Sequence, residues 1–243
     1  MDDDGCSAGT GAVDAGRRAR REAPDAVAAA GSGPLGSLRA RWAGNWSPEH
    51  RAAGRALVLL HGNGGGAAEW DRVLGLLPPD QPVVCPEAPG HGGTPAAADV
   101  GAHPERPWSR LFPPKLRLQK TAQLVADGLA RVGLTGPGAA VIVGFSDGAN
   151  VALELAVHRP ETVAGLLLIG ANARPGGLRA RTHAGVLLGY AALRAWGVVS
   201  RRARQRARVW GLMVGQPLLR AEQLGRIGVP TVVMAGGADM IAR

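Results

Sequence analysis

The stretch AAVIVGFSDGANVALELAVH, residues 139–158, decides the fold. Residues 139–143 form an apolar run of strand length, and residues 147–158 have the pattern of a helix that stops before Pro160. Between them lies a G-x-S-x-G motif, residues 144–148. A serine in a tight turn from strand to helix presents its hydroxyl at the sheet edge, where the helix N-terminus favours developing negative charge. The stretch therefore predicts a parallel-type α/β unit with Ser146 as a nucleophile.

The G-x-S-x-G motif alone is only moderately specific. The chain contains 37 glycines, so a serine flanked by two of them can arise by chance. The alternative interpretation is a glycine-rich turn that carries an incidental serine. The position of the motif, directly after a strand pattern and at the start of a helix pattern, favours the nucleophile.

A second motif, His61-Gly62-Asn63-Gly64-Gly65-Gly66, follows the apolar residues 56–60. Acyl transfer requires two N–H donors aimed at the oxyanion of the tetrahedral intermediate, and glycines allow the backbone to approach a substrate closely. The backbone amides of Asn63 and Asp147 are the predicted donors. A turn without function is the alternative, and His61 is predicted to orient this loop and not to act as a base.

Asp239 is the predicted acid. It follows a strand predicted at residues 229–235, at the carboxyl edge of the sheet. A catalytic triad needs a carboxylate there to orient an imidazole and to stabilise its cation. The order of nucleophile and then acid along the chain fits such a triad. An ordinary turn aspartate is the alternative, and Glu222, on a predicted cap helix, is a weaker rival.

The remaining pattern alternates strands with helices, which predicts an α/β fold with a mostly parallel sheet covered by helices on both faces. Further strands are expected at residues 82–85 and 163–169, with a weak strand signal at 37–42, and a helix is expected at 118–132. Residues 174–224 are predicted to be a small helical cap. The predicted domains are a disordered tail, residues 1–36, and one α/β domain, residues 37–243, which includes the cap.

Composition excludes several classes of function. The formal charge is +9, but no nucleic-acid motif accompanies it. The arginines of residues 201–208 are interpreted as a solvated helix face, and a site for an acidic substrate or a membrane surface is the alternative. The two cysteines have no metal-ligand spacing, so neither a metal nor a cofactor is predicted. No secretory signal and no membrane-spanning run are recognisable, which predicts a cytoplasmic protein. The expected partner is a small acyl substrate, and the oligomeric state stays open.

Five segments carry a resemblance to a known family: LVLLHGNGG at 57–65, PGHGGT at 89–94, VGFSDGANVAL at 143–153, IGAN at 169–172 and VPTVVMAGGADMI at 229–241. Residues 57–243 resemble the α/β-hydrolase superfamily, and most of all its esterase-like branch related to valacyclovir-hydrolase-type enzymes. The resemblance implies Ser146 as nucleophile, Asp239 as acid, and the amides of Asn63 and Asp147 as oxyanion donors.

The resemblance also implies a C-terminal strand, a histidine loop and a last helix. None of the six histidines follows Asp239. The sequence therefore predicts a serine hydrolase truncated at its C-terminus, with the strand at 229–235 left as an exposed sheet edge. Two alternatives stay open: an inactive or decayed hydrolase that at most binds apolar ligands, and a C–C bond hydrolase or perhydrolase on the same fold. Dehalogenase or epoxide-hydrolase chemistry is disfavoured, because it requires an aspartate where Ser146 stands.

Overall fold

A computed structural model of the chain describes residues 31–47, 56–96, 116–136, 138–173 and 179–236. Seven strands form one sheet in the order β1-β2-β4-β3-β5-β6-β7. β1 and β2 join it as antiparallel strands, and the other neighbours pair in parallel. The predicted α/β fold with a mostly parallel sheet is confirmed. The strands are Gly31–Leu35 (β1), Leu38–Ala43 (β2), Ala56–Leu60 (β3), Val83–Glu87 (β4), Ala140–Phe145 (β5), Val163–Ile169 (β6) and Thr231–Met234 (β7).

The helices within the described residues alternate with these strands from β3 onwards. Two short 3-10 helices, Ala67–Trp70 and Pro160–Thr162, accompany them. The α-helices are Asp71–Leu74 (α1), Leu118–Arg131 (α2), Asp147–His158 (α3), Ala180–Trp196 (α4), Arg201–Gly215 (α5) and Ala221–Leu224 (α6).

The sheet has a separate apolar core on each face. Side chains alternate between the faces of a strand, and β3 follows this rule: Ala56, Val58 and Leu60 belong to the larger core, whereas Leu57 and Leu59 lie on the opposite side. The larger core holds α2 and α3. The smaller core is closed by the segment from the first 3-10 helix to α1, through Trp70 and Leu74.

Helix α2 packs on the larger core through apolar residues spaced three and four apart, among them Ala122, Val125 and Leu129, all about fully buried. Burial of one such leucine stabilises the fold by roughly 1.5–3 kcal/mol. Gly128 lies on the same face, and a Cβ built there would stand 2.6 Å from Cγ of Leu35. The absence of a side chain at Gly128 therefore lets α2 lie directly against β1.

The N-terminal part of the sheet corrects one prediction. The disordered tail was expected to extend to residue 36, which is wrong for residues 31–36, because Gly31–Leu35 forms β1 and pairs with β2. The hairpin turns at Gly36, whose φ is +62°, and Leu35 is buried beneath α2. Only one large apolar side chain marks this strand, so its sequence shows no periodicity. Residues 1–30 lie outside the described residues.

Helices α4, α5 and α6 lie between β6 and β7, within the segment expected to form a cap. The hydroxyl of Ser200 caps α5 by accepting a hydrogen bond from the Ala203 amide at 3.3 Å. Val209 and Leu212 of α5 are buried in the larger core. The helical segment is thus attached to the sheet domain by α5. Residues 174–178, with which the predicted cap begins, lie outside the described residues.

Strand β7 is the outer strand beside β6 in the described part of the chain. Its side chains are exposed, with Val232 at 58% and Val233 at 65%. None of the described helices combines the length and the apolar character that a membrane crossing would require.

Candidate active site

Ser146 lies at the turn from β5 into α3 in a backbone conformation that few residues adopt. Its φ is +53° and its ψ is −118°. Such a conformation at a residue other than glycine costs about 1–3 kcal/mol and persists only where the surrounding structure holds it. The Ser146 amide donates to the Ile169 carbonyl at 2.8 Å, and the Ser146 carbonyl accepts from the Ala149 amide at 2.9 Å. The strained turn is therefore fixed on both sides.

The two glycines of the motif are required by space. A Cβ on Gly144 would stand 2.5 Å from Cα of Ala149, and a Cβ on Gly148 would overlap the carbonyl oxygen of Leu60. Helix α3 therefore starts directly against the end of β3. This close approach brings Ser146 beside the loop that follows β3.

The loop after β3 lies on the serine turn. A Cβ on Gly62 would be 3.5 Å from Cβ of Ser146 and 3.1 Å from the ring of Phe145. The Gly62 amide donates to Oε2 of Glu69 at 3.1 Å. In the described residues, the backbone amides of Asn63 and Asp147 donate to no acceptor. Ser146, Asn63 and Asp147, predicted separately from the sequence, are thus neighbours at one edge of the sheet.

The side chains of Asn63 and Asp147 join the loop to α3. Nδ2 of Asn63 donates to Oδ2 of Asp147 at 2.6 Å and lies 3.1 Å from the carbonyl oxygen of Val209 on α5. Burial raises the pKa of the Asp147 carboxyl, and the hydrogen bonds from Asn63 and Asn150 oppose that rise. One amide group therefore connects the loop, the first residue of α3 and the cap segment.

Asn150 extends this polar network to the loop after β6. It is 1% exposed, and its Nδ2 donates to Oδ1 of Asn172 at 2.6 Å and to Oδ1 of Asp147 at 3.4 Å. Its Oδ1 accepts from the amides of Asn172 and Ala173 at 3.1 and 3.4 Å. Asn150 therefore holds the loop after β6 against α3.

Two buried histidines, His61 and His91, fix the loop after β3. Nε2 of His91 accepts from the Gly64 amide at 2.9 Å, and its Nδ1 lies 3.2 Å from the Pro89 carbonyl. Nε2 of His61 accepts from the Ala88 amide at 3.0 Å, and its Nδ1 lies 2.8 Å from the Gly62 carbonyl. Each ring is thus neutral and protonated on Nδ1. Burial, together with the neighbouring His61, lowers the pKa of His91 to about 4.

No histidine among the described residues is hydrogen-bonded to the Ser146 hydroxyl. His158 is the last residue of α3, at the end opposite Ser146, and His183 lies on α4. His50, His103 and the predicted acid Asp239 lie outside the described residues. Glu222 lies on α6, as predicted.

Neither a metal cluster nor a reactive thiol occurs in the described residues. No group of three or more His, Cys, Asp or Glu side chains there is arranged to hold a metal ion. Cys85 is buried in β4, and burial raises the pKa of its thiol to about 12. A thiol in such surroundings is a core side chain and not a nucleophile.

The family is decided by residues 57–243, which match the model of the alpha/beta hydrolase family. The chain belongs to the alpha/beta hydrolase family. The matched region includes the serine turn, the loop after β3 and β7, so the family model covers the elements that position Ser146.

Two curated relatives are hydrolases by name. The chain is 37% identical over 116 residues to the pimeloyl-[acyl-carrier protein] methyl ester esterase of Aromatoleum aromaticum. The matched region covers 48% of the chain and 37% of the relative. The chain is 31% identical over 131 residues to the putative carbamate hydrolase RutD of Variovorax paradoxus. This second match covers 54% of the chain and 43% of the relative. The match to these two relatives therefore spans less than half of their length.

Solved structures share the fold at low sequence identity. The 2-hydroxy-6-oxo-6-phenylhexa-2,4-dienoate hydrolase of Rhodococcus sp. strain RHA1 superposes with a TM-score of 0.63 at 22% identity, over 88% of this chain and 83% of that one. A thermophilic esterase from Thermogutta terrifontis superposes with a TM-score of 0.60 at 18% identity, over 84% and 77%. These likenesses establish the α/β-hydrolase fold.

Sequence reasoning missed the residues that support the candidate site. Asn150 and Asn172 belong to two of the motifs that carry the resemblance, but neither was given a role. One signal was available, since Asn150 follows Asp147 by three residues and so lies on the same helix face. The contact of Asn63 with the Val209 carbonyl had no signal, because it joins residues 146 positions apart.

Proposed function

We propose that the chain is a serine hydrolase that acts on carboxylic esters or related acyl compounds through an acyl-enzyme on Ser146. The observation that carries the proposal is the positive φ of Ser146 in a turn packed against Gly62. Strained backbone conformations cluster at active sites and ligand-binding sites. The names of the relatives, a methyl ester esterase and a putative carbamate hydrolase, support acyl compounds as the substrate class.

In the proposed reaction, Oγ of Ser146 attacks the substrate carbonyl carbon and gives its proton to a general base. The carbonyl oxygen becomes an oxyanion that accepts hydrogen bonds from the backbone amides of Asn63 and Asp147. Collapse of this intermediate releases the alcohol, which takes up the proton, and leaves the acyl group on Ser146. Water then attacks the acyl-enzyme with the help of the same base and regenerates the serine.

Asp239 is proposed as the carboxylate that orients the imidazole base and stabilises its cation. Loss of the histidine from such a triad lowers turnover by up to roughly 10⁶-fold, and the oxyanion donors supply what rate remains.

The location of the proposed enzyme is the cytoplasm.

A second candidate is binding of an apolar acyl ligand without turnover. One observation favours it: the described histidines that lie near the serine, His61 and His91, use both ring nitrogens in fixing the loop. Neither is therefore free to accept the Ser146 proton. Hydrolysis that depends on Ser146 would exclude this candidate.

The test combines a fluorophosphonate probe with a p-nitrophenyl ester on the full chain. We expect the probe to label Ser146, and Ser146→Ala to abolish both the labelling and the residual hydrolysis that the oxyanion donors supply. Ser32→Ala is the matched control, since Ser32 is an exposed serine of β1, and it should leave both unchanged. Full esterase activity in Ser146→Ala would overturn the proposal, and absence of labelling and hydrolysis in the parent chain would favour the binding candidate.

A further inference from the structure

A cavity lies at the end of α3 opposite Ser146, apart from the candidate active site. Its volume is about 490 Å³, which is within the range of small-molecule sites. Helix α3 contributes Glu154 and His158, the start of α2 contributes Gln119, and α5 and the segment after it contribute Gly215 and Leu219. Glu154 is eight residues from Ser146, roughly 12 Å along the helix axis. None of Ser146, Asn63 and Asp147 lines this cavity.

Among the described residues, Glu154 is the one carboxylate that lines the cavity, and it is only 5% exposed. Its Oε2 lies 3.2 Å from Nε2 of His158, and its Oε1 has no hydrogen-bond donor in the described residues. Oε1 of Glu154 is not among the buried polar atoms that lack a partner, so it is open to the cavity. Glu154 therefore leaves room for a donor that enters through the cavity.

His158 is an incomplete partner for Glu154. The same Nε2 atom lies 3.2 Å from Glu154 and 3.3 Å from Nε2 of Gln119. This nitrogen carries at most one proton, so it cannot donate to the carboxylate while it accepts from the Gln119 amide. Burial raises the pKa of Glu154, and His158 opposes that rise. A cationic donor in the cavity would satisfy the Glu154 carboxylate whether Nε2 of His158 donates to Glu154 or accepts from Gln119.

The rest of the wall is suited to a short aliphatic group. Leu116 is 3% exposed and Leu219 is 2% exposed, and Leu218 adds a third leucine, which is 67% exposed. Arg117 is a second charged side chain among the described residues of the lining, and its positive charge opposes that of a bound ammonium, so the contact with Glu154 has to outweigh it. An alkyl chain on these leucines would place its polar end toward α3, where Glu154 and His158 lie.

We propose that this cavity binds an aliphatic primary ammonium ion, with the ammonium on the Glu154 carboxylate and the alkyl chain on Leu116, Leu218 and Leu219. Such a ligand would contact α2, α3 and the end of α5 together. The Leu118 amide already donates to Oε1 of Gln216 across this junction at 3.3 Å. Occupancy would therefore hold the cap segment to the sheet domain at a place remote from the proposed active site.

Isothermal titration of the full chain with hexylammonium at pH 8 tests the proposal. The ammonium group of an alkylamine has a pKa of about 10, so it is still charged at pH 8. We expect a dissociation constant on the order of 1 mM, with 1-hexanol and hexanoate binding at least about tenfold more weakly. Equal binding of 1-hexanol would overturn the recognition of charge, and so would the absence of any binding of hexylammonium.

Variants locate the site. Glu154→Gln keeps the shape of the side chain and should weaken binding by about tenfold to a hundredfold. Gly215→Phe should abolish binding by filling the cavity, because a Cβ there meets nothing within 4 Å. Gly185→Phe is its matched control, an equally open helical glycine on α4, and should bind as the parent chain does.

Ser146→Ala separates this inference from the proposed function and should leave the affinity for hexylammonium unchanged. Loss of binding in Ser146→Ala would place the ligand in the candidate active site and overturn the proposal. Parent-like affinity in Glu154→Gln or in Gly215→Phe would overturn it as well. Thermal unfolding of each variant, monitored by circular dichroism, establishes that it is folded, and the comparison of hexylammonium with 1-hexanol on the parent chain needs no variant.

Discussion

Nδ2 of Asn63 lies 2.6 Å from Oδ2 of Asp147, a hydrogen bond that joins the loop after β3 to the first residue of α3. The backbone amides of the same two residues are the proposed oxyanion donors. The side-chain contact therefore sets the separation of the two donors. An oxyanion site depends on such preorganisation, because donors that are already in place need no rearrangement when charge develops.

A double-mutant cycle with Asn63→Ala and Asp147→Ala measures this contact. Hydrogen bonds to charged groups contribute about 1.5–3 kcal/mol, so the free energies of unfolding should show a coupling of about 1–3 kcal/mol. Urea denaturation of the parent, the two single variants and the double variant provides the four values. Additive effects of the two substitutions would mean that the contact does not hold the loop.

The same sequence features predicted both the frame of the fold and the three neighbours at the serine turn. Apolar runs predicted β3 and β6 at their observed bounds, and the pattern of residues 147–158 predicted α3. These elements are long or strongly patterned, and the apolar positions of each are local in sequence. Ser146 and Asn63 were recognisable because each directly follows a strand, and the carboxyl ends of parallel strands meet at one sheet edge.

Other parts had no local signal. β1 contains two glycines and a proline, and only Leu35 of its residues is buried, so its place depends on pairing with β2 and on contact with Gly128. The cavity beside Glu154 arises from the meeting of α2, α3 and α5, which no short window of sequence encodes. The role of Asp239 remains a prediction, because that residue lies outside the described part of the chain.

The pKa of His91 predicts a loss of stability in acid. Its pKa is lowered from 6.5 to about 4, so this stabilisation is fully present above pH 6.5 and is lost as the pH falls toward 4. At 1.36 kcal/mol per pKa unit the loss is about 3 kcal/mol. His91→Gln keeps an acceptor for the Gly64 amide and removes the titrating group. Between pH 6.5 and 4, the free energy of unfolding of this variant should therefore fall by about 3 kcal/mol less than that of the parent chain.

Urea denaturation of the parent chain and of His91→Gln at a series of pH values between 4 and 7.5 measures this difference. Asp147 and Glu154 have raised pKa values, and their contributions are lost in the opposite direction, as the pH rises. Both groups are present in parent and variant, so they cancel in the comparison. Parallel stability curves for the two proteins would contradict the assignment of the acid loss to His91.

Gly148→Ala tests the close approach of α3 to β3. The added Cβ would overlap the carbonyl oxygen of Leu60 and lie 2.6 Å from that of His61. We expect a loss of about 1–3 kcal/mol or more in the free energy of unfolding and a strong decrease in fluorophosphonate labelling of Ser146. Gly185→Ala is the matched control, since its Cβ meets open space on a helix and should stabilise the chain by up to about 1 kcal/mol.

Asn150→Leu removes the junction between α3 and the loop after β6. Asn150 is 1% exposed, and its carboxamide satisfies the amides of Asn172 and Ala173 and donates to Asp147. A leucine of similar volume leaves these groups unpaired, so we expect a loss of about 3 kcal/mol in the free energy of unfolding. Chemical denaturation at pH 7 measures it, and a loss below about 0.5 kcal/mol would contradict the network.

Asn150→Asp separates the two functions of this carboxamide. The variant keeps an oxygen that accepts from Asn172 and Ala173, but it loses the donor to Asp147 and places a second carboxyl beside it. Two adjacent carboxyls resist ionisation together. The stability deficit of Asn150→Asp should therefore be small in acid and should grow as the pH rises and both groups are forced to ionise, whereas the deficit of Asn150→Leu should change little over that range. A deficit of Asn150→Asp that is independent of pH would mean that the carboxylate of Asp147 does not face position 150.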